Sequence, residues 1–183
     1  GFFNVLMVGR YAGEKRQDEL IEACAKSRHA QEIQVILAGK GPLEKKDRKL
    51  AEKLPNPIVM QFFEPARLLE ILHMADLYVH TSDAEIEAMS CMEAFACGLV
   101  PVIADSPRSA TPQFALDERS LFPAGDTDAL AARIDWWIEH PEERREMELR
   151  YADHAKQYSL AESIRKTEEM FRQAIAEQRR TGA

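Results

Sequence analysis

Two glutamates, Glu85 and Glu93, lie eight residues apart in the stretch DAEIEAMSCMEAFACGLVPVIAD, residues 83 to 105. The first precedes a predicted helix and the second lies inside it, in otherwise apolar sequence. Carboxylates placed in this way are either solvated surface charges or acceptors for the hydroxyl groups of a ligand. The spacing alone does not decide, because it recurs in three other pairs on charged segments: Glu14 and Glu22, Glu44 and Glu52, and Glu169 and Glu177.

Two cations follow the first predicted strand, in the segment GRYAGEKR. Gly9 permits a sharp turn there. Arg10 and Lys15 both suit a phosphate, arginine through two parallel hydrogen bonds and lysine as a point charge. The loop GKGP follows the next strand, and its glycines Gly39 and Gly41 allow close backbone approach. Taken singly, each loop is more simply interpreted as a turn with solvated charges.

The helix that contains Glu93 is predicted to begin near Ala88. Its free N–H groups at Met89 and Ser90 would attract a phosphate through hydrogen bonding and the helix dipole. Glu93, one turn deeper, would then accept hydrogen bonds from a ribose diol, and Glu85 from a sugar beyond the phosphates. Since the surrounding sequence is apolar, we expect a buried helix in which the Glu93 carboxylate needs a ligand or an internal cation as its partner.

Strands and helices alternate along the first two thirds of the chain. Continuous apolar runs closed by glycine or polar residues predict buried strands, and apolar residues three and four apart predict helices. This alternation favours a doubly wound α/β fold, in which ligands bind at the carboxyl ends of a parallel β-sheet. The predicted strands are 2–8, 33–38, 58–63, 77–80, 100–104 and a short sixth at 121–122, and the helices between them are 17–26, 43–54, 68–74 and 88–97.

The remainder of the sequence predicts a C-terminal helical extension. Asp126 is placed to cap a helix over 128–139, so the DTD triplet at 126–128 is interpreted as a cap and not as a metal-binding DxD motif. A second, highly charged helix is predicted over 142–158. Ser159 and Glu162 have capping-box spacing, which predicts a third helix to about residue 179. Its apolar residues lie roughly on one face: Leu160, Ile164, Phe171 and Ile175.

Composition argues against several classes of function. The 183 residues have a net charge of −7, which argues against nucleic acid as the main partner. No apolar run is long enough for a membrane span, and no signal peptide is visible. Cys24, Cys91 and Cys97 have no metal-ligand spacing and favour reduced thiols in a cytoplasmic protein. His80 lies at a strand end near the predicted site. We expect it to be packed or linked to solvent in preference to lining the site. Because the chain begins with Gly1, we expect a piece of a longer protein.

Five segments resemble the nucleotide-sugar-binding half of GT-B glycosyltransferases, most closely the large retaining family 4. They are VGRYAGEKRQDELIEA, VILAGKGP, ADLYVHTSD, EIEAMSCMEAFACGLVPVIA and FPAGDTDALAARI, in the family's order and spacing, over about residues 3–146. The most specific element is the E-x7-E pair, together with the upstream GR and EK. The family often has glycine where this chain has Arg16, and E-G-x-G where it has Glu85-Ile86-Glu87-Ala88. Glu87 is expected to face solvent or to complement the helix N-terminus.

The resemblance implies a role for each matched residue, with Arg10, Lys15 and Glu85 as the catalytic set. Arg10 and Lys15 would bind the donor diphosphate, and Glu85 would bind the transferred hexose. Glu93 would bind the ribose. The other donor-binding positions would be Gly9, Gly39, Gly41, Pro42, Phe62 and Phe63, and Met89 and Ser90 through their backbone amides.

The resemblance also implies half of an enzyme. Residues 1–158 would form a Rossmann-like donor-binding domain, one half of a GT-B fold, and residues 159–183 a helix that packs on a missing N-terminal acceptor domain. The expected reaction is retaining, metal-independent transfer of a hexose from a nucleotide-diphosphate sugar, with a UDP-sugar favoured by its frequency in the family. The acceptor would be a glycan, lipid or small molecule in polysaccharide or glycolipid biosynthesis.

The same expectations include no cofactor, no metal and an inactive isolated domain. The expected location is the cytoplasm, with peripheral association of the full protein at the inner face of the membrane left open. Two alternatives remain, a non-catalytic sugar-nucleotide-binding module and a GT-B-fold UDP-sugar epimerase. A flavodoxin-like signalling domain is disfavoured, because it would need an acidic pocket where Arg10 lies.

Overall fold

The fold alternates strands and helices, and the computed structural model describes it over residues 1–181. The predicted α/β class is therefore confirmed, including the short sixth strand. The strands are β1 (Phe3–Val8), β2 (Ile33–Ala38), β3 (Val59–Gln61), β4 (Leu77–His80), β5 (Pro101–Asp105) and β6 (Leu121–Pro123). The helices are α1 (Gln17–Lys26), α2 (Glu44–Leu50), α3 (Pro65–Met74), α4 (Met89–Ala96), α5 (Thr127–Glu139), α6 (Pro141–Ala155) and α7 (Leu160–Thr181).

All six strands form one parallel sheet in the order β3-β2-β1-β4-β5-β6. β1 lies inside the sheet and pairs with β2 from Phe3 opposite Ile33 to Val8 opposite Ala38. On its other side β1 pairs with β4. The strand order therefore reverses between β1 and β4, and in an open parallel sheet this switch point creates a crevice at the carboxyl ends of the strands.

The four inner strands, β2, β1, β4 and β5, are mostly buried because helices cover the sheet. The edge strand β3 instead alternates exposed, buried and exposed residues. α1 packs against α2 and α5, and α4 packs against α6. The largest wholly buried side chains include Trp137 on α5, Tyr151 on α6 and Phe95 on α4. These helices and strands form one continuous apolar core.

Several predicted boundaries shift. β3 ends at Gln61, two residues early, and the next side chain, Phe62, is exposed. α3 begins at Pro65 and not at 68, because proline suits the first helical position, where an N–H is not needed. α2 ends at Leu50 and continues as a single 3-10 turn over Ala51–Lys53.

The interpretation of the DTD triplet as a helix cap is confirmed. The Asp126 carboxylate accepts hydrogen bonds from the backbone N–H groups of Asp128 at 3.1 Å and Ala129 at 2.9 Å. At the start of α7, the Ser159 hydroxyl accepts a hydrogen bond from the N–H of Glu162 at 3.3 Å. This second contact is one half of the predicted capping box.

α7 leaves the body of the protein with its apolar face in solvent. The exposed fractions of Leu160, Ile164, Phe171 and Ile175 are 77%, 51%, 59% and 50%. Among the described residues, none of these four side chains is packed against the apolar core. The division at residue 158 and the packing of α7 on another domain stay predictions. The last two residues of the predicted 159–183 segment lie outside the described residues.

The three cysteines are free thiols, as expected. Cys24 and Cys91 are buried, and Cys97 is half-buried. Burial raises the pKa of Cys97, and the nearby Glu93 charge adds to this. None of the helices formed by residues 1–181 is long and apolar enough to cross a membrane.

Candidate functional site

The loop after β1 and the loop after β4 are tied together at the carboxyl end of the sheet. The Thr81 hydroxyl lies 2.7 Å from the carbonyl oxygen of Lys15 and 2.9 Å from that of Arg16. The N–H of Asp83 donates to the carbonyl of Glu14 at 2.8 Å. These contacts bring the predicted cation loop against the predicted glutamate loop, although about 70 residues separate them in the chain.

Lys15 and Glu85 form a hydrogen-bonded ion pair across this junction, and both side chains are mostly buried. Burial by itself would raise the pKa of the Glu85 carboxyl. The hydrogen bond and positive charge of Lys15 outweigh burial, so that the pKa lies below its ordinary value. Glu85 is therefore held as a carboxylate, and two of the three predicted catalytic side chains are in direct contact.

The backbone of Glu85 is fixed from the far side by the loop after β5. Its carbonyl accepts a hydrogen bond from the N–H of Ala110 at 2.9 Å, and Glu85 forms an isolated parallel bridge with Ser109. Two residues earlier in the chain, a carboxylate oxygen of Asp83 lies 3.1 Å from the guanidinium of Arg108. Three loops, after β1, β4 and β5, thus position one carboxylate.

Arg16 and Ala88 flank the site in left-handed backbone conformations, with φ of 54° and 48°. The family that this sequence resembles often has glycine at both positions. A non-glycine residue in this region carries a steric cost. Arg16 offsets it partly through ion pairs with Glu19 at 2.7 Å and Asp83 at 3.5 Å. Ala88 turns the chain into α4, whose first turn has no side-chain cap.

The first turn of α4 faces a pocket of about 490 Å³ that also contains Lys15 and Glu85. The predicted phosphate-binding positions Met89 and Ser90 line it, with Ile86, Glu87 and Ala88. Glu87 is exposed, as expected. The uncapped N–H groups at the start of this eight-residue helix thus lie beside the Lys15–Glu85 ion pair.

A second pocket, of about 480 Å³, lies at the carboxyl ends of β1, β2 and β3. It brings together seven of the predicted donor-binding residues, Lys40 from the predicted 39–42 loop, and three residues that the sequence did not single out. The seven are Gly9, Arg10, Gly39, Gly41, Pro42, Phe62 and Phe63, and the three are Val8, Ala38 and Leu68. Its walls are mainly apolar, as pockets for planar organic groups usually are.

Two glycines in this pocket cannot carry a side chain without moving backbone. A Cβ on Gly39 would lie 2.0 Å from the carbonyl oxygen of Gly9, and one on Gly41 would lie 2.4 Å from that of Tyr11. Lys40, between them, places its ammonium 4.6 Å from the centre of the Phe62 ring, in cation–π contact. Lys40 lies inside the GKGP loop that was predicted to line the site.

Arg10 is exposed, and within residues 1–181 its guanidinium has no ion-pair partner. Its carbonyl oxygen accepts a hydrogen bond from the Gln17 side chain at 2.8 Å, which fixes the backbone while leaving the cation free. Arg10 lines the apolar pocket, whereas Lys15 lines the pocket at α4. The two predicted phosphate-binding cations therefore belong to neighbouring pockets.

The expectation that Glu93 is buried is wrong. α4 buries the face that carries Cys91, Ala94 and Phe95, and Glu93 lies on the other side and is exposed. Its sequence neighbours are apolar, but they do not show which way its side chain points, because burial on a helix follows a 3.6-residue period. Glu93 borders a third depression of about 910 Å³. Its predicted contact with ribose remains a prediction.

His80 is packed, as expected, but it also lies at the site. It is 1% exposed, and its Nε2 atom lies 3.7 Å from a carboxylate oxygen of Glu85.

Within the described residues, no group of three or more His, Cys, Asp or Glu side chains is arranged to hold a metal ion.

The six-stranded parallel sheet flanked by helices is the fold of the C-terminal domain of GT-B glycosyltransferases. Residues 2–154 match the family model described as glycosyl transferases group 1. The chain therefore belongs to this family of transferases. A comparison with curated proteins gave no match.

Solved structures agree with this assignment. The catalytic domain of cholesterol-alpha-glucosyltransferase from Helicobacter pylori is 50% identical, with a TM-score of 0.83, over 86% of this chain and 99% of that one. The pneumococcal O-GlcNAc transferase GtfA, in complex with UDP and GlcNAc, is 21% identical with a TM-score of 0.79 over 94% of this chain. The Anabaena protein HepE, in complex with UDP, is 23% identical with a TM-score of 0.74 over 85%. This chain spans 36% and 44% of those last two chains.

Proposed function

We propose that the chain is the donor-binding half of a retaining hexosyltransferase that uses a UDP-sugar. The observation that carries the proposal is the contact of Lys15 with Glu85 beside the uncapped start of α4. A cation for phosphate and a carboxylate for sugar hydroxyls lie together in one pocket, and the neighbouring apolar pocket is suited to a nucleoside base. Complexes of the GtfA and HepE structures with UDP support the choice of nucleotide.

In this proposal the protein assists departure of the nucleoside diphosphate from the sugar. Negative charge grows on the diphosphate in the transition state, and Arg10, Lys15 and the α4 N-terminus supply positive charge that is already in place. These groups make a metal ion unnecessary for neutralising the leaving group. Removal of one such group should lower the rate roughly 100-fold or more, by analogy with a single oxyanion-hole donor.

Glucose is the hexose that we propose. The relative with 50% identity is described as a cholesterol-alpha-glucosyltransferase, and it matches this chain over nearly its whole length. Transfer that forms an α-glucoside from an α-linked nucleotide sugar retains the configuration, which supports the retaining assignment. The same relative favours a sterol among the lipid acceptors. We further propose that the exposed face of α7 packs on the domain that holds this acceptor.

Calorimetric titration of the chain with UDP, GDP and ADP tests the donor site. We expect UDP to bind and the Arg10→Ala variant to bind it at least tenfold more weakly, because a phosphate contact is lost. Arg165→Ala is the matched control, since Arg165 is an exposed arginine on α7 that pairs with Glu162 and Glu169. A folded chain that binds none of the three nucleotides would contradict the proposal.

A further inference from the structure

His80 contains a buried polar atom that the protein itself leaves without a partner. Its Nε2 has no hydrogen bond with any described residue. This atom lies 3.7 Å from the Glu85 carboxylate oxygen to which Lys15 is bonded. Buried nitrogen atoms are nearly always paired, so an unpaired one at the edge of a site indicates a missing partner.

The other ring nitrogen determines the hydrogen-bonding role of Nε2. Nδ1 of His80 lies 3.3 Å from the hydroxyl oxygen of Tyr78, and that hydroxyl donates to the Ser90 hydroxyl at 3.0 Å. Since the Tyr78 hydroxyl donates to Ser90, its oxygen is free to accept a hydrogen bond from an N–H at Nδ1. This assignment from the hydrogen-bond network places the histidine proton on Nδ1 and leaves Nε2 with a lone pair.

The histidine is neutral at ordinary pH. Burial lowers its pKa to about 4, and the nearby Lys15 charge acts in the same direction, against the opposing effect of Glu85. Nε2 is therefore an acceptor throughout the physiological range. It stands beside a second acceptor, the Glu85 carboxylate, which accepts a hydrogen bond from Lys15.

Two neighbouring acceptors call for a ligand with two neighbouring donors. The phosphates of a nucleotide offer only acceptors, but adjacent hydroxyl groups on a sugar ring offer two O–H donors side by side. The Lys15 ammonium has three N–H donors and can bond a phosphate and Glu85 together. The sugar joined to that diphosphate would then lie near both acceptors.

We propose that His80 is a sugar-binding residue, whose Nε2 accepts a hydrogen bond from one hexose hydroxyl while Glu85 accepts one from the adjacent hydroxyl. Tyr78 and Ser90 are positioning residues that fix the tautomer. The inference rests on the proposed function, because it requires a hexose bonded to the diphosphate. Sites built around a substrate hydroxyl discriminate strongly against analogues that lack it. His80 would thus help to select the sugar.

The test compares the affinities of UDP, UDP-glucose and UDP-glucose analogues that each lack one ring hydroxyl, measured by calorimetry. The unmodified chain should bind one of these analogues roughly fivefold to tenfold more weakly than UDP-glucose, the effect of one hydrogen bond. In His80→Phe that difference should vanish while the affinity for UDP is unchanged. In Glu85→Gln the corresponding difference should shrink for the analogue that lacks the adjacent hydroxyl, because a neutral amide oxygen is a weaker acceptor than a carboxylate. His73→Phe, an exposed histidine on α3, is the matched control.

The outcomes separate the two proposals. Failure to bind UDP would overturn the proposed function. Binding of UDP, with a deoxy penalty that persists in His80→Phe or is absent from the unmodified chain, would overturn the role of His80. If the variant does not fold, nitrogen-15 NMR of labelled histidine in the unmodified chain decides. We expect a bare Nε2 whose resonance shifts further with UDP-glucose than with UDP, and a proton on Nε2 or equal shifts would refute the assignment.

Discussion

Lys15 and Glu85 neutralise each other across the crevice between β1 and β4, and each is also a proposed contact of the donor. Because both side chains are mostly buried, neither charge is readily compensated by water when the other is removed. The protein is thus stabilised by a contact whose two members are also proposed to bind the diphosphate and the hexose. This relationship makes the pair sensitive to substitution and to acid.

Replacing Lys15 with methionine should destabilise the protein by about 1–3 kcal/mol, since a mostly buried carboxylate loses its partner. It should also weaken UDP-glucose binding more than tenfold. Lys15→Arg retains the charge with a different geometry and should lose less of both. Thermal unfolding and calorimetry measure the two effects. Equal affinity in Lys15→Met and the unmodified chain would remove Lys15 from the diphosphate site.

The same pair predicts a pH dependence. The pKa of Glu85 is lower in the folded protein than in the unfolded chain, so its contribution is complete above the unfolded pKa and is lost as the pH falls through the folded pKa. Lys15→Met removes the main cause of the lowering. Burial then acts on the Glu85 pKa without that opposition, so the stability lost between neutral pH and pH 3, measured in denaturant, should be smaller in the variant than in the unmodified chain. Superimposable pH profiles would contradict the pairing.

Ala88→Gly should stabilise the protein by about 0.5–1 kcal/mol. The left-handed φ of 48° at Ala88 costs an alanine about 1–2 kcal/mol, which exceeds the added chain entropy of glycine in the unfolded state. Ala132→Gly, at an exposed position inside α5, is the control and should cost about 1 kcal/mol. Urea unfolding midpoints measure both. A destabilised Ala88→Gly would show that this backbone conformation is not strained.

Arg16→Gly should have the opposite sign, although its φ is also left-handed. Glycine would relieve the backbone but remove the ion pairs with Glu19 and Asp83, and Glu19 is almost wholly buried. Loss of a partner from a buried carboxylate outweighs relief of one strained residue. We expect a lower urea midpoint, and a midpoint raised as in Ala88→Gly would show that the ion pairs contribute little.

Gly39→Ala and Gly41→Ala should each lower the unfolding midpoint and reduce UDP affinity. The added Cβ would meet backbone atoms of Gly9 or Tyr11 rather than the end of a flexible side chain, so the pocket wall itself must shift. Gly13→Ala is the matched control, because a Cβ there meets nothing within 4 Å. Retention of full affinity in Gly39→Ala, measured by calorimetry, would place the base of the nucleotide elsewhere.

Much of this arrangement was predictable because it is local. Continuous apolar runs indicated the strands, and glycines with Arg10 and Lys15 marked the loops after them. The direction of Glu93 was not predictable from its neighbours, since it depends on which face α4 turns toward the core. The contacts of Glu85 with Lys15 and His80 depend on strand order, which sets β4 beside β1. The strain at Ala88 arises where a family glycine is replaced.

The length of α7 limits what can cover its apolar face. Twenty-two residues in α-helical conformation extend about 33 Å, comparable with the diameter of a small domain. The exposed apolar side chains occur from Leu160 near one end to Ile175 near the other. A short loop could shield only a turn or two of such a helix. Any body that buried the whole stripe would therefore need a surface of domain size.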